Sequence, residues 1–395
     1  MKLYRSLSRI WTFTKNPFRK LKLYVKQRLG WLDIPKIMPY RGFGNDKHIL
    51  IRGQVIEDRG LSTPEQDDNL WRNILAMIKR YAGDVIPGVT VIVEFEGLRE
   101  EIVTDENGMY YKKLNIQSCN IDHNGWYPVH YALKETREEG ENITAKGEAL
   151  VIADKVHFGV ISDVDDTILI SNATDAIKKM RLMLFKNATT RMPFNGVTAF
   201  YRALCKEEQD DQINPLFFVS SSEWNLYDLL QDFASYHDIP KAPFLLRNLD
   251  YAIWKFWKSG GGNHMHKYDK ISKIFEIYPE MKFILIGDSG QRDPYIYLDV
   301  AKKFPGKILA VYIRQIKKKI NKKLIEITEE YKNANIDLVM VEDTYQAAVH
   351  ASREEYITTR DINDIMYEKE KDETAPTELE HLAKEKMGKS TVDQE

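Results

Sequence analysis

Residues 158–170 read FGVISDVDDTILI, and the second half of the chain is organised around this stretch. An apolar run from His157 to Ile161 reads as a buried strand, which delivers Asp163, Asp165 and Asp166 into a turn with Thr167 just behind them. Carboxylates crowded at a strand end repel one another and are costly to desolvate unless a cation or a proton offsets them. The pattern therefore points to a metal site or to acid chemistry. A calcium loop of the EF-hand type is excluded, because it needs Gly and Glu where this chain has Ile168 and Thr174.

Outward from this turn, apolar strands alternate with helical patterns. Strands are expected at His157–Ile161, Leu216–Val219, Lys282–Ile286, Ile308–Ile313 and Ile336–Val341. Helices are expected at about Gly196–Glu208, Glu223–Tyr236, Lys267–Tyr278, Pro294–Lys303 and Asp343–Tyr356. Such alternation predicts an α/β domain, a parallel sheet with helices on both faces. Ligands on such sheets bind at the carboxyl ends of the strands. The first strand ends in Asp163-Val164-Asp165, the second in Ser220-Ser221-Ser222, and the third in Gly287-Asp288 with Asp293 shortly after; His266-Lys267 opens the helix before the third.

One sheet edge thus collects what phosphoryl transfer needs: a nucleophile, a general acid, and positive charge or donors around the phosphate oxygens. Hard carboxylates at two strand ends suit Mg2+, which prefers oxygen ligands. Some assignments stay open at this level. Ser221 could replace Ser220, Asp293 could cap the helix opening at Pro294, Lys270 and Lys273 lie near Lys267, and Arg247 and Arg292 are further candidates for a phosphate or headgroup contact. Asp166 could cap the following segment.

The motifs, in this order, resemble the haloacid-dehalogenase-like phosphatases, which implies a Rossmann-like sheet. Mapped residue by residue, the resemblance implies Asp163 as nucleophile and magnesium ligand, and Asp165 as acid and base and as a further residue of the metal site. It also implies Ser220 and Lys267 on the phosphoryl group, and Asp288 on magnesium with Asp293 supporting. SDVDDTI (162–168), FFVSSSEWNLYDLL (217–230), HKYDKISKI (266–274) and LIGDSGQRDPYIY (285–297) further resemble the actin-patch-protein type of phosphatidate phosphatase catalytic domain, relatives of the lipins. That resemblance covers about Phe158 to Tyr312. It implies magnesium-dependent removal of phosphate from phosphatidate, leaving diacylglycerol. Glu223 departs from the pattern, where Pro is expected, and adds a charge beside the serines. Two alternatives remain: a phosphatase of a soluble phosphomonoester, and a membrane- or protein-binding module with a vestigial phosphatase domain.

The first half has a different texture. Between His48 and Lys155, short alternating runs at Ile49–Ile56, Val89–Phe95, Glu101–Thr104, Met109–Ile116, Trp126–Leu133 and Ile143–Ile152 read as strands, and Leu70–Tyr81 as a helix. Pro87-Gly88 and Asp105-Glu106-Asn107-Gly108 mark turns. A small all-β sandwich is the expectation for 48–155. PGVTVIVEF (87–95) with IVTDENGMYY (102–111) resembles sandwich modules of the transthyretin-like and carboxypeptidase-regulatory type.

Residues 1–47 form a basic, aromatic segment, with Lys or Arg at 2, 5, 9, 15, 19, 20, 22, 26 and 28 and no acid before Asp33. Such a mixture suits an anionic membrane surface, or an arm packed on its own protein; nothing later in the chain supports nucleic acid. The phosphatase domain is placed at 156–360. The charged stretch 361–395, with Glu368 onward almost devoid of large apolar groups, is expected to be a disordered tail. Two cysteines, Cys119 and Cys205, far apart in a 395-residue chain, argue against a disulfide framework and for a reducing compartment. No apolar run reaches membrane-spanning length, so the expected location is cytoplasmic, with peripheral contact to a membrane.

Overall fold

The computed structural model describes residues 34–58, 85–134, 142–153, 155–164, 196–206, 213–247, 264–289, 292–315 and 322–374. The expected basic segment 1–30, the helix at Leu70–Tyr81, and the tail beyond Thr374 lie outside these residues. By contacts the chain divides into two units. The first holds the described residues up to Val156 with Asn225–Gln231 and Ala242–Phe244, and the second holds the remainder.

The first unit contains seven strands: β1 (Ile34–Asn45), β2 (His48–Asp58), β3 (Thr90–Phe95), β4 (Leu98–Val103), β5 (Met109–Asn115), β6 (Gly125–Leu133) and β7 (Thr144–Ile152). Six of them lie where alternation predicted. They form one continuous sheet in the order β4-β3-β6-β7-β1-β2-β5, antiparallel except for the β1–β7 pair. This corrects the expectation of a two-sheet sandwich. The sheet rolls until its outer strands β4 and β5 touch, and Lys112 of β5 reaches Glu100 of β4 at 2.6 Å across the seam. A register shift in β1 between Tyr40 and Phe43 supplies a local bend. Inside the roll Ile49, Ile51, Val55, Val91, Val93, Val129, Tyr131 and Val151 form the core. Where the sequence places Asp105-Glu106-Asn107-Gly108, Asp105 Oδ1 accepts from the backbone N–H groups of Asn107 (2.8 Å) and Met109 (2.9 Å). Gly108 takes the left-handed conformation at φ 65° that this turn requires.

The correction at β1 has a physical reason. Residues 34–45, expected as part of the basic segment, form a strand between β7 and β2, although they carry Pro35, Pro39, Gly42 and Gly44, residues uncommon inside strands. At Gly44 a Cβ would come within 1.9 Å of the His48 carbonyl oxygen, so the glycine is what allows the tight β1–β2 connection.

The second unit is a mixed α/β fold, a central sheet flanked by helices. Its strands are β8 (Gly159–Asp163), β9 (Leu216–Glu223), β10 (Phe244–Arg247), β11 (Phe283–Asp288), β12 (Ile308–Arg314) and β13 (Asp337–Val341). The helices are α1 (Val197–Cys205), α2 (Tyr227–Tyr236), α3 (His264–Ile277), α4 (Asp293–Lys303), α5 (Lys322–Asn333), α6 (Thr344–Arg353) and α7 (Thr359–Thr374). The strand order is β10-β9-β8-β11-β12-β13, and the pairs β9–β8, β8–β11, β11–β12 and β12–β13 are parallel. Strand β8, the first of this unit in sequence, therefore lies in the interior of the sheet.

Successive side chains of a strand point to opposite faces. Phe218 meets Tyr201 of α1 edge-on, while its neighbour Phe217 meets Tyr278 just after α3. Tyr312 of β12 packs against Phe200 of α1 and His350 of α6. Phe283 of β11 packs against Phe275 of α3. Helices α1 and α6 thus cover one face and α3 the other.

Three elements were not anticipated: β10, α5 and α7. Helix α7 corrects the expectation of a disordered tail from residue 361. Asp361 Oδ2 accepts from the Thr358 backbone N–H at 2.8 Å and from its hydroxyl at 2.7 Å, a local side-chain cap at the helix start. Ile365 is fully buried, Glu368 pairs with Arg202 of α1, and Lys369 pairs with Asp343 at 2.8 Å. One apolar anchor and two ion pairs hold a helix whose average composition reads as a solvated tail.

Candidate active site

Strand β8 is buried along its whole length, and its apolar residues fix a register that carries Asp163 to the carboxyl end. Strand β11 lies beside it, with Ile286 opposite Ser162, so Asp288 leaves the sheet at the same end. Asp293 is the first residue of α4. These three carboxylates can offer oxygen atoms all within 4.8 Å of one another. Relative exposures of 3% for Asp163, 7% for Asp288 and 0% for Asp293 take them out of bulk water.

Lys267, on the first turn of α3 and equally buried, donates from Nζ to Asp293 Oδ1 at 2.9 Å. The same ammonium stands 2.8 Å from Asp163 Oδ1, a close buried ion pair. Asp293 Oδ2 accepts from the Asp288 backbone N–H at 3.2 Å. Asp293 therefore serves the cluster, and the alternative that it caps α4 is not what its side chain does: the cap position is Arg292, and it makes no side-chain cap bond.

Gly287 makes this arrangement possible. A Cβ there would meet Asp293 Oδ2 at 2.6 Å and the Tyr297 hydroxyl at 3.0 Å. Tyr297, fully buried on α4, donates to the Ile286 carbonyl at 2.8 Å and so ties the helix to the strand that carries Asp288. Behind β8, the Ser162 and Tyr201 hydroxyls share a 2.6 Å hydrogen bond.

Three carboxylates against one ammonium leave a formal charge of −2 in a buried volume, when all are ionised. Burial, reinforced by Asp293 and, more weakly, Asp288, pushes the Asp163 carboxyl well above the usual carboxylate range, against the pull of Lys267. For Lys267, burial works against the charged form, but Asp163 and Asp293 outweigh it and hold the ammonium protonated. Asp163 Oδ1 faces the Lys267 ammonium, and Oδ2 has no hydrogen-bond donor among the described residues. A buried carboxylate oxygen without a donor, an excess negative charge and an all-oxygen donor set are what a hard divalent cation such as Mg2+ would satisfy. The residues fit that ion.

Of the residues singled out by sequence, Asp163, Lys267, Asp288 and Asp293 are brought together. Ser220 is buried and sits one residue beyond Val219, the partner of Asp163. It lies within β9, which runs on to Glu223, rather than after the strand as expected. Asp165, Asp166 and Thr167 lie outside the described residues. Arg247 ends β10 and is buried, whereas Arg292 is exposed with its guanidinium 5.9 Å from the Tyr295 ring. His266 belongs to the first turn of α3. Sequence reasoning missed two residues, Gly287 and Tyr297; the Gly-Asp pair at the end of an apolar strand was the available signal for the first.

Comparison with known proteins bears on the segment that carries these residues. Residues 158–315 match the family model described as "Phosphatidate phosphatase APP1, catalytic domain". The chain is 31% identical over 157 residues to phosphatidate phosphatase APP1 of Saccharomyces cerevisiae, covering 40% of this chain and 26% of that protein. It is 22% identical over 267 residues to an uncharacterized protein of Schizosaccharomyces pombe, covering 67% of this chain and 41% of that protein. The chain thus spans about a quarter and two fifths of these relatives. A carbohydrate acetylesterase from Xanthomonas citri, at 10% identity and a TM-score of 0.29, covers 78% of this chain and 69% of its own; that score carries no argument about fold. The family match supports a hydrolase of the phosphatase type, and all four clustered residues lie inside the matched segment.

Proposed function

We propose that the second unit is a magnesium-dependent phosphatase that hydrolyses a phosphomonoester through an aspartyl-phosphate, with phosphatidate as substrate and diacylglycerol and phosphate as products. The observation that carries this reading is the buried Asp163–Asp288–Asp293 cluster with Lys267, inside the segment that matches a phosphatidate phosphatase catalytic domain. The strand order, with β8 at the interior and the direction of winding reversing between β8 and β11, supports a haloacid-dehalogenase-like sheet, since ligands bind at such a switch point.

In this reading an Asp163 carboxylate oxygen attacks phosphorus, and an O–P bond forms as the ester O–P bond breaks. Asp165 gives its proton to the departing alkoxide. Water then attacks the phosphorus of the aspartyl-phosphate, passes a proton to Asp165, and releases inorganic phosphate with Asp163 restored. Ser220 and Lys267 bind phosphoryl oxygens. Asp163, Asp288 and Asp293, with Asp165 nearby, would hold a divalent ion, which when bound supplies positive charge to offset the nucleophile and the phosphate. Lys267 also offsets part of the negative charge of Asp163 and Asp293, so it serves both groups.

The substrate is tested by supplying the purified chain and Mg2+ with phosphatidate in mixed micelles, in parallel with p-nitrophenyl phosphate. Phosphate release from phosphatidate is the expected result. Hydrolysis of the soluble ester alone would replace the lipid by a soluble phosphomonoester.

A further inference from the structure

We infer that Lys270, one turn along α3 from Lys267, is a positioning residue that fixes the end of β9 and with it the Ser220 hydroxyl; this rests on the reading of Ser220 as a phosphate-binding group. On the β8 side the ladder of β9 stops at the Asp163–Val219 pair, and the Val219 carbonyl accepts from the Val164 N–H at 3.2 Å. The next residue, Ser220, is fully buried, and its carbonyl, an acceptor that needs donors, lies past the last pair of the β8 ladder. Lys270 supplies one: Nζ stands 2.5 Å from the Ser220 carbonyl oxygen.

Residues three apart on a helix share a face. Lys267 and Lys270 use that face for two different tasks. Lys267 holds the carboxylates of β8 and α4, whereas Lys270 holds the backbone of β9. Helix α3 is thereby pinned at two points on the same sheet edge, and the spacing between the nucleophile and the serine is set by one rigid element. Without Lys270, a buried carbonyl loses an ionised donor and the strand end is released at the residue whose hydroxyl is needed.

The experiment is a double-mutant cycle in the full chain: Lys270→Met, Ser220→Ala and the double variant, with Lys270→Arg as the conservative replacement. Hydrolysis of phosphatidate and p-nitrophenyl phosphate is measured with Mg2+, binding of inorganic phosphate by calorimetry, and melting of each variant; Lys270→Gln replaces Lys270→Met if the latter does not fold. The expected result is a loss of about tenfold to a hundredfold in kcat/KM for Lys270→Met, with phosphate affinity falling in parallel. Lys270→Arg should recover most of it. In the Ser220→Ala background, Lys270→Met should cost less than about threefold, because residues that act through one another are non-additive. Equal losses in both backgrounds, or phosphate affinity that is unchanged by Lys270→Met or absent in the wild type, would overturn the inference. If the wild type hydrolyses neither ester, the phosphatase reading fails, and the phosphate titration alone then decides the role of Lys270.

Discussion

Gly287 stands where Asp293 and Tyr297 both press on β11, and a methyl group there would lie 2.6 Å from Asp293 Oδ2. Gly287→Ala should displace Asp293, destabilise the protein by about 1–3 kcal/mol in denaturant melts as overpacking does, and lower phosphate release by at least about tenfold. A wild-type melting curve with wild-type turnover would contradict that account. The cluster also predicts a linkage. Mg2+ at a hundred times its dissociation constant should raise stability by about 2.7 kcal/mol, read as an increase in melting temperature that EDTA reverses. Asp288→Asn should abolish most of the increase; an equal increase in the variant would place the ion elsewhere. Asp163, Lys267, Asp288 and Asp293 were legible in the sequence, because charges at the ends of apolar runs are conspicuous. The role of Lys270 was not, since spacing alone does not separate a lysine that reaches a backbone carbonyl from one that is solvated.

At the scale of elements, strands read from long apolar or alternating runs agree with the structure to within a few residues, and the failures have causes. β1 contains two prolines and two glycines, β10 has only four residues, and the charges of α5 mask Ile327 and Tyr331, both buried. Helix α7 fails for a related reason: composition averages over a segment, whereas packing depends on the few residues that touch a neighbour. Ile365→Ala should cost about 2–4 kcal/mol in chemical denaturation, as removal of a buried isoleucine does. A cost near zero would mean that α7 is held by its ion pairs alone. Gly196, at φ 73°, adds to the same contact, since a Cβ there would come 2.9 Å from the Ile365 carbonyl oxygen.

For the whole molecule, two textures in sequence correspond to two structural units, a rolled β-sheet and an α/β sheet. The change from two sheets to one roll was not legible, because alternation reports which face of a strand is buried and not which strands pair. Cys119 and Cys205 are free, and among the described residues no helix is long and apolar enough to cross a membrane. If the chain works on a lipid, deleting residues 1–30 should reduce its sedimentation with anionic liposomes, and more so at low salt; unchanged sedimentation would remove that segment from the membrane account. The central claim, that Asp163 is the nucleophile of a metal-dependent phosphatase, is tested most directly by phosphate release from phosphatidate at saturating Mg2+ by the wild type and by Asp163→Asn, an almost isosteric change. The account predicts a loss of at least about a thousandfold in the variant, with folding intact by melting; activity within a factor of two of the wild type would contradict it.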